Sequence, residues 1–319
     1  MKANNNIGLG TAAIGRPLYI NIKQDEKEKD FSLPKFKESG IQVLEDAYNK
    51  GVRYFDTSPG YGLAEQLLVN WLETKNAPDI KVSTKWGYTY VANFDPNAKQ
   101  HEVKEHSLEK LNKQWEFSKM LLPYLKVYQI HSATFDTGVL DNVEIHKKLH
   151  QIKKEYNLVI GLTTTSDNQT EILNKAMSIK LDGEALFGSY QCTFNILEQS
   201  INDLKEQLKT VGNNFIIKEA LANGRLIPNK QYEHYQELYD YLMVLANKYN
   251  VGADAIALRY CIEVFPEATV LSGANNCIHL TTNLKANNFQ LAQDEIDKLN
   301  TFKVKATNYW NERKQLTWN

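Results

Sequence analysis

Four side chains suited to acid–base work fall at or just beyond the ends of successive apolar runs: Asp56, Tyr61, Lys85 and His131. The central stretch is Phe55-Asp56-Thr57-Ser58-Pro59-Gly60-Tyr61-Gly62. A mostly apolar run from Val52 to Phe55 stops on a carboxylate, a Ser-Pro-Gly turn follows, and a phenol is presented just beyond it. Singly, each residue has a plain structural role. Ser, Pro, Gly and Asp build turns because they fix or relax φ, so Asp56 can be a local cap. A strand-end lysine is usually solvated and a histidine after an apolar run is more often a hydrogen-bonded core residue. A loop tyrosine more often packs than reacts. Together, at one end of three neighbouring strands, they favour chemistry. A free phenol titrates near about 10, too high for ready exchange at neutrality. A nearby ammonium, Lys85, is expected to stabilise phenolate and bring that value down. Asp56 would hold Lys85 charged and oriented, and His131 would position a carbonyl oxygen or relay the proton. Such a set protonates the alkoxide formed when hydride reaches a carbonyl carbon. It includes no obvious serine or cysteine nucleophile and no metal-ligand cluster.

The elements that must carry these residues alternate along the chain. Strands are expected at Ile7–Ala13, Val52–Asp56, Ile80–Lys85, Leu125–Ile130, Leu158–Thr163, Leu186–Thr193, Asn214–Lys218 and Ala268–Leu271. Between them, helical spacing predicts helices over 34–50, 64–74, 100–120, 143–156, up to Met177 from a cap at Asp167, 197–210, 231–250 and 253–264, with two more at 276–286 and 293–301. Residues 14–33 and 88–99 read as loops. About eight βα units without a composition break predict one α/β domain over 1–319, a parallel (β/α)8 TIM barrel with a C-terminal tail. An open doubly wound sheet is the runner-up. It would carry a Gly-x-Gly-x-x-Gly turn, and Gly8-Leu9-Gly10 is followed by Thr11-Ala12-Ala13.

Composition narrows the partners. The 37 basic and 38 acidic residues nearly cancel, which argues against a nucleic-acid tracker. Three widely spaced cysteines, Cys192, Cys261 and Cys277, read as reduced thiols rather than a disulfide framework or zinc site. No signal-like apolar run opens the chain and no segment approaches the ~20 apolar residues of a membrane span, so a soluble, cytoplasmic protein is expected. Oligomeric state is open.

With these residues in view, the chain resembles the aldo-keto reductase superfamily along nearly its whole length. Gly8-Leu9-Gly10-Thr11, the Phe55–Gly62 stretch, Val82-Ser83-Thr84-Lys85 and Gln129-Ile130-His131 look like the family's successive signatures. The resemblance implies a (β/α)8 barrel that binds NADP(H), less often NAD(H), without a Rossmann turn. It makes Tyr61 the general acid/base and Asp56, Lys85 and His131 the rest of a tetrad. It also implies a cofactor site. Gly10 and Thr11 would lie against the cofactor beside Asp56, while Gln191, with Thr163-Thr164 in place of a usual Ser-Asn pair, would meet the nicotinamide amide. Lys218 stands where many members stack an aromatic ring, and Leu221 and Arg225 lie near the expected pyrophosphate loop. Ser272, Gly273, Asn275, His279 and Asn283 resemble the adenosine end, without the lysine or arginine that often grips a 2′-phosphate. Read from the residues alone, Trp86 beside Lys85 either walls the substrate pocket with His131 or packs at the barrel top, and the tyrosines at 232, 235, 239 and 241 are expected at the wet edge of an outer amphipathic helix.

The substrate implied is a small carbonyl compound or sugar, with a lean toward aldose dehydrogenases from Asp56-Thr57-Ser58-Pro59-Gly60-Tyr61-Gly62-Leu63-Ala64-Glu65. A nucleotide-sensing regulatory subunit is the alternative class. A Lys85 Schiff-base enzyme is a third, separable by borohydride trapping.

Overall fold

Eight short strands close into a parallel barrel in the computed structural model, which describes residues 6–22, 32–95 and 97–318. In chain order these are β1 (Ile7–Gly10), β2 (Tyr54–Asp56), β3 (Lys81–Trp86), β4 (Leu125–Ile130), β5 (Val159–Thr163), β6 (Ser189–Thr193), β7 (Phe215–Lys218) and β8 (Thr269–Ser272). Each strand pairs with its sequence neighbours, and β8 returns to β1 through Ile7 opposite Val270. Closure leaves no free sheet edge. Helices between the strands bury their apolar stripes on the barrel's outside. The helix Leu33–Asn49, for instance, carries Pro34 in its first turn and packs through Val43, Leu44 and Ala47. The core is continuous from β1 to Trp310.

The barrel agrees with the alternation in the sequence, and the differences lie in irregular segments. β1 ends at Gly10, and Ala12–Gly15 turns helical. The expected loop 88–99 and the start of the expected helix 100–120 instead form a hairpin, Tyr88–Tyr90 against Glu102–Lys104, before the helix Leu108–Ser118. β6 starts at Ser189, after a separate small hairpin, Lys180–Leu181 against Glu184–Ala185. Asn168, not Asp167, precedes the helix Gln169–Ser178. The expected helix over 231–250 begins as a tighter turn, Lys230–Tyr235, and becomes α-helical from Gln236 to Tyr249. Part of the 14–33 loop, residues 23–31, lies outside the described residues.

The tail folds over the barrel's carboxyl end. A helix not foreseen from sequence, Ala306–Lys314, is held there by two part-buried attachments. Arg313 meets Glu219, just past β7, through both carboxylate oxygens at 2.6–3.0 Å. Arg225 donates to Glu312 at 2.8 Å and to the Tyr309 carbonyl at 3.2 Å. Tyr235 and Tyr239, expected at a wet edge, are buried: one hydroxyl donates to Glu312 and the other to the Arg225 carbonyl. Ile20 and Trp318 then bridge the first loop to the last residues. No helix among the described residues is long and apolar enough to cross a membrane.

Candidate active site

The carboxyl ends of β2, β3 and β4 bring the four predicted residues together. Asp56 closes β2, and its register partner on β3 is Ser83. Lys85 lies two residues on, so strand alternation turns it to the same inner face. Its ammonium is 2.5 Å from Asp56 Oδ2 and donates to the Thr57 carbonyl at 3.0 Å. Asp56 Oδ1 accepts from Ser83 Oγ at 2.7 Å and Gln191 Nε2 at 2.8 Å. Both ions are buried, so hydrogen bonds must replace the water they lost. Burial pulls the Lys85 ammonium below its ordinary value and Asp56 opposes that pull.

Tyr61 stands over this pair. Lys85 Nζ lies 4.8 Å from the centre of its ring, and the His131 ring meets it edge-on at 5.4 Å. Burial pushes the Tyr61 phenol well above its ordinary value and the Asp56 charge adds to this, while Arg16 opposes it. The expected fall caused by Lys85 is therefore corrected: the ammonium is committed to Asp56, and desolvation dominates. At neutral pH Tyr61 is a phenol, ready to donate.

His131 is neutral. Burial lowers its imidazole well below the ordinary value, and Lys85, Arg16 and Lys218 lower it further. Its Nδ1 lies 3.1 Å from Ser58 Oγ, which already accepts from the Gly60 amide at 3.1 Å. In the tautomer in which the Ser58 hydroxyl donates to Nδ1, the imidazole proton sits on Nε2 as a donor. Behind it, His106 is 2.9 Å from the His131 carbonyl, and Tyr88 packs on the ring at 4.6 Å. Burial lowers His106 to about 4, so it too is neutral.

Other predicted residues fall in several places. Thr11 donates to the Asp56 carbonyl at 3.0 Å, and Gly10 pairs in register with Asp56. Thr163 Oγ1 accepts from the Ser132 amide at 2.7 Å, and Thr164 Oγ1 donates to Gln169 at 3.1 Å. Lys218 ends β7 at the rim, its ammonium on Thr193 Oγ1 at 2.8 Å. Leu221 is half-buried beyond it. Ser272 ends β8 and meets the Asn283 side chain at 2.8 Å. Gly273 and Asn275 lie in the loop that follows, and His279 is in the first turn of the helix Cys277–Leu284.

Two predicted residues do not face the site. Trp86 follows Lys85 on β3 and so points to the barrel's outer side, fully buried against His106 at 5.5 Å. It does not wall a pocket. Arg225 is sealed beneath the tail helix, stacked on Tyr309 at 4.1 Å and paired with Glu312, rather than free for a phosphate. Sequence reading missed Arg16, Ser58, Ser83, Tyr88, Glu102 and His106 as neighbours of the site. Ser58 and Ser83 lay inside the quoted signatures and could have been found there. The others had no local signal.

The chain belongs to the aldo/keto reductase family, a family of oxidoreductase enzymes whose model matches residues 6–303. It is 29% identical to the L-galactose dehydrogenase of Arabidopsis thaliana over 238 residues, 71% of this chain and 66% of that one. It is 36% identical to a D-threo-aldose 1-dehydrogenase of a Pseudomonas species over 116 residues, 35% of this chain and 31% of that one. The fold matches a glycerol dehydrogenase of Gluconobacter oxydans at 20% identity and TM-score 0.71, covering 93% of this chain and 90% of that one. It also matches an aldo-keto reductase of Bacillus halodurans at 17% identity and TM-score 0.68, covering 94% and 93%.

Proposed function

We propose that this chain transfers hydride between NADP(H) or NAD(H) and the carbonyl or alcohol carbon of an aldehyde, ketone or sugar, with Tyr61 as general acid in reduction and general base in oxidation. The observation that carries this is the buried Lys85–Asp56 pair beneath a phenol that also meets neutral His131. A bound nicotinamide would supply the hydride.

The donor set at the barrel's carboxyl end fits such a cofactor. A side chain added at Gly273 would meet nothing within 4 Å, which leaves open space above the β8 loop. That loop feeds the start of the helix Cys277–Leu284, where backbone amides and the helix dipole suit an anionic group. Ser272, Gly273, Asn275, His279 and Asn283 would hold the adenosine end; Gly10, Thr11, Thr163, Thr164, Gln191 and Lys218 would line the nicotinamide end.

The chain's own groups divide the remaining work. His131 Nε2–H can hold a carbonyl oxygen within reach of the Tyr61 hydroxyl, and that hydroxyl delivers its proton to the oxygen in reduction. Lys85, kept charged and fixed by Asp56, lies beneath the phenol ring and assists it in place. An aldose is the favoured substrate class, because the matched relatives include two sugar dehydrogenases by name.

Tyr61→Phe tests this. Turnover of a panel of aldoses and aldehydes should fall by about 10²–10⁴-fold, the usual contribution of a general acid–base group. Cofactor affinity by fluorescence titration should be unchanged. Near wild-type turnover would remove Tyr61 as the proton donor.

A further inference from the structure

Arg16 is 4% exposed and belongs to none of the four predicted positions, yet it lies against Tyr61. Its guanidinium carbon is 5.3 Å from the centre of the Tyr61 ring, 5.2 Å from that of Tyr19 and 4.7 Å from the Trp318 ring. One nitrogen donates to the Gly60 carbonyl at 3.2 Å and to Glu102 Oε2 at 2.8 Å, and its buried Nε has no partner. Four separate segments therefore converge on one cation: the β1 loop, the Tyr61 loop, the Tyr88–Lys104 hairpin and the chain's end.

Two glycines make this approach possible. A Cβ on Gly15 would fall 2.1 Å from the Tyr61 carbonyl, and Gly62, at φ +63°, would place one 2.4 Å from the Gly15 carbonyl. The Leu63 amide donates to that same carbonyl at 2.8 Å. The two loops interlock backbone to backbone, so Arg16 is delivered to the phenol by the fold rather than by a flexible side chain alone.

We propose that Arg16 is a positioning residue for Tyr61, its clamped guanidinium setting how readily the phenol gives up and regains its proton. This rests on Tyr61 being the acid–base residue. The charged and titratable groups facing Tyr61 are Asp56 from the end of β2, Lys85 from β3, His131 just past β4, Arg16 and Tyr19 from the β1 loop, Glu102 from the hairpin and Glu219 beyond β7. Lys85 is paired to Asp56, His131 is neutral, and Glu219 is taken up by Arg313. Arg16 is the cation that opposes burial in holding the phenol's proton affinity down, and Glu102, bonded to that guanidinium, works against it.

The opposite signs of Arg16 and Glu102 give the test. Replacing Tyr61 with 2,3,5-trifluorotyrosine lets one phenol be titrated by fluorine NMR in the full-length protein, with no substrate needed. The midpoint should rise by about one pH unit in Arg16→Met, a tenfold change in the ionisation constant, and stay near its starting value in Arg16→Lys. Glu102→Gln, which keeps Arg16 and removes its counter-charge, should lower it. In the unlabelled enzymes, the pH profile of aldose oxidation should move in the same directions. Midpoints that do not move, or that move the same way in Arg16→Met and Glu102→Gln, would overturn the proposal. If Arg16→Met does not fold, the sign in Glu102→Gln decides alone. Turnover in Tyr61→Phe would instead sink the acid–base assignment and leave these midpoints unaffected.

Discussion

Glu65, a buried carboxyl outside the four site residues, gives a pH-dependent stability prediction. It lies in the first turn of the helix Ala64–Leu72 and is 2% exposed. Thr84 and Ser118 hydroxyls both donate to its Oε1, at 2.5 and 2.9 Å, and its buried Oε2 has no partner. Burial raises this carboxyl from 4.5 to about 7, against the smaller lowering by those hydroxyls and Lys85. A carboxyl that holds its proton more tightly when folded costs stability as it ionises. The loss begins near the unfolded value, grows as pH rises through the folded value, and is complete above it. At ~1.4 kcal/mol per pH unit, moving from 4.5 to about 7 amounts to about 3 kcal/mol lost between pH 4.5 and pH 7–8. Glu65→Gln keeps an acceptor for both hydroxyls and removes the charge, at about 1 kcal/mol for an amide NH2 left unpaired. The variant should therefore unfold about 2 kcal/mol later than wild type at pH 8 and slightly earlier at pH 5. Urea unfolding of both proteins at both pH values measures this, because the difference between them cancels every other titrating group. A variant less stable than wild type at pH 8 would show that Glu65 is not ionised at a cost there.

The remaining expectations concern the ion pair and the cofactor. Asp56→Asn strips the buried Lys85 of its counter-charge and should destabilise by about 3–5 kcal/mol, with much of that recovered in Asp56→Asn combined with Lys85→Met; urea midpoints of the three variants check this. Ser272, Gly273, Ala274, Asn275, Asn276 and His279 include no lysine or arginine. NADPH and NADH affinities should therefore lie within about tenfold, since one charge-assisted bond to the 2′-phosphate would contribute about 1.5–3 kcal/mol. Equilibrium titration with each cofactor decides this, and a hundredfold preference for NADPH would mean the phosphate has a cation elsewhere.

How much of the fold could be read depended on periodicity. Leu125–Ile130, Val143–Tyr156 and Ala253–Val264 were expected within a residue of where they lie, because the first is a short β-prone run between turns and the others are helical stripes. The Tyr88–Lys104 hairpin was not legible. Its strands are three residues each, too short for alternation to register, and Glu102-Val103-Lys104 has the composition of a helix start. The tail helix Ala306–Lys314 has no apolar stripe. It is held by Arg313 and Glu312, ion pairs to residues far away in sequence, and only the folded chain reveals them.

The site divides along the same line, and strand alternation explains which half was visible. Asp56, Lys85 and His131 sit at strand ends where one run stops on one polar residue, so position along the sequence gives both depth in the barrel and facing. The same rule, applied one residue further, removes Trp86: neighbours on a strand face opposite ways, and Lys85 had already taken the inside. What sets the proton affinity of Tyr61 follows no such rule. Arg16 lies 45 residues before it, Glu102 41 after it and Glu219 158 after it, and each arrives through a loop whose course depends on the closed barrel. Local pattern therefore placed Tyr61, while the groups that bear on its proton affinity arrive by long-range contacts: a phenol expected to be acidified by the lysine nearest to it is instead pushed up by burial, with the opposing charge coming from Arg16 in the first loop.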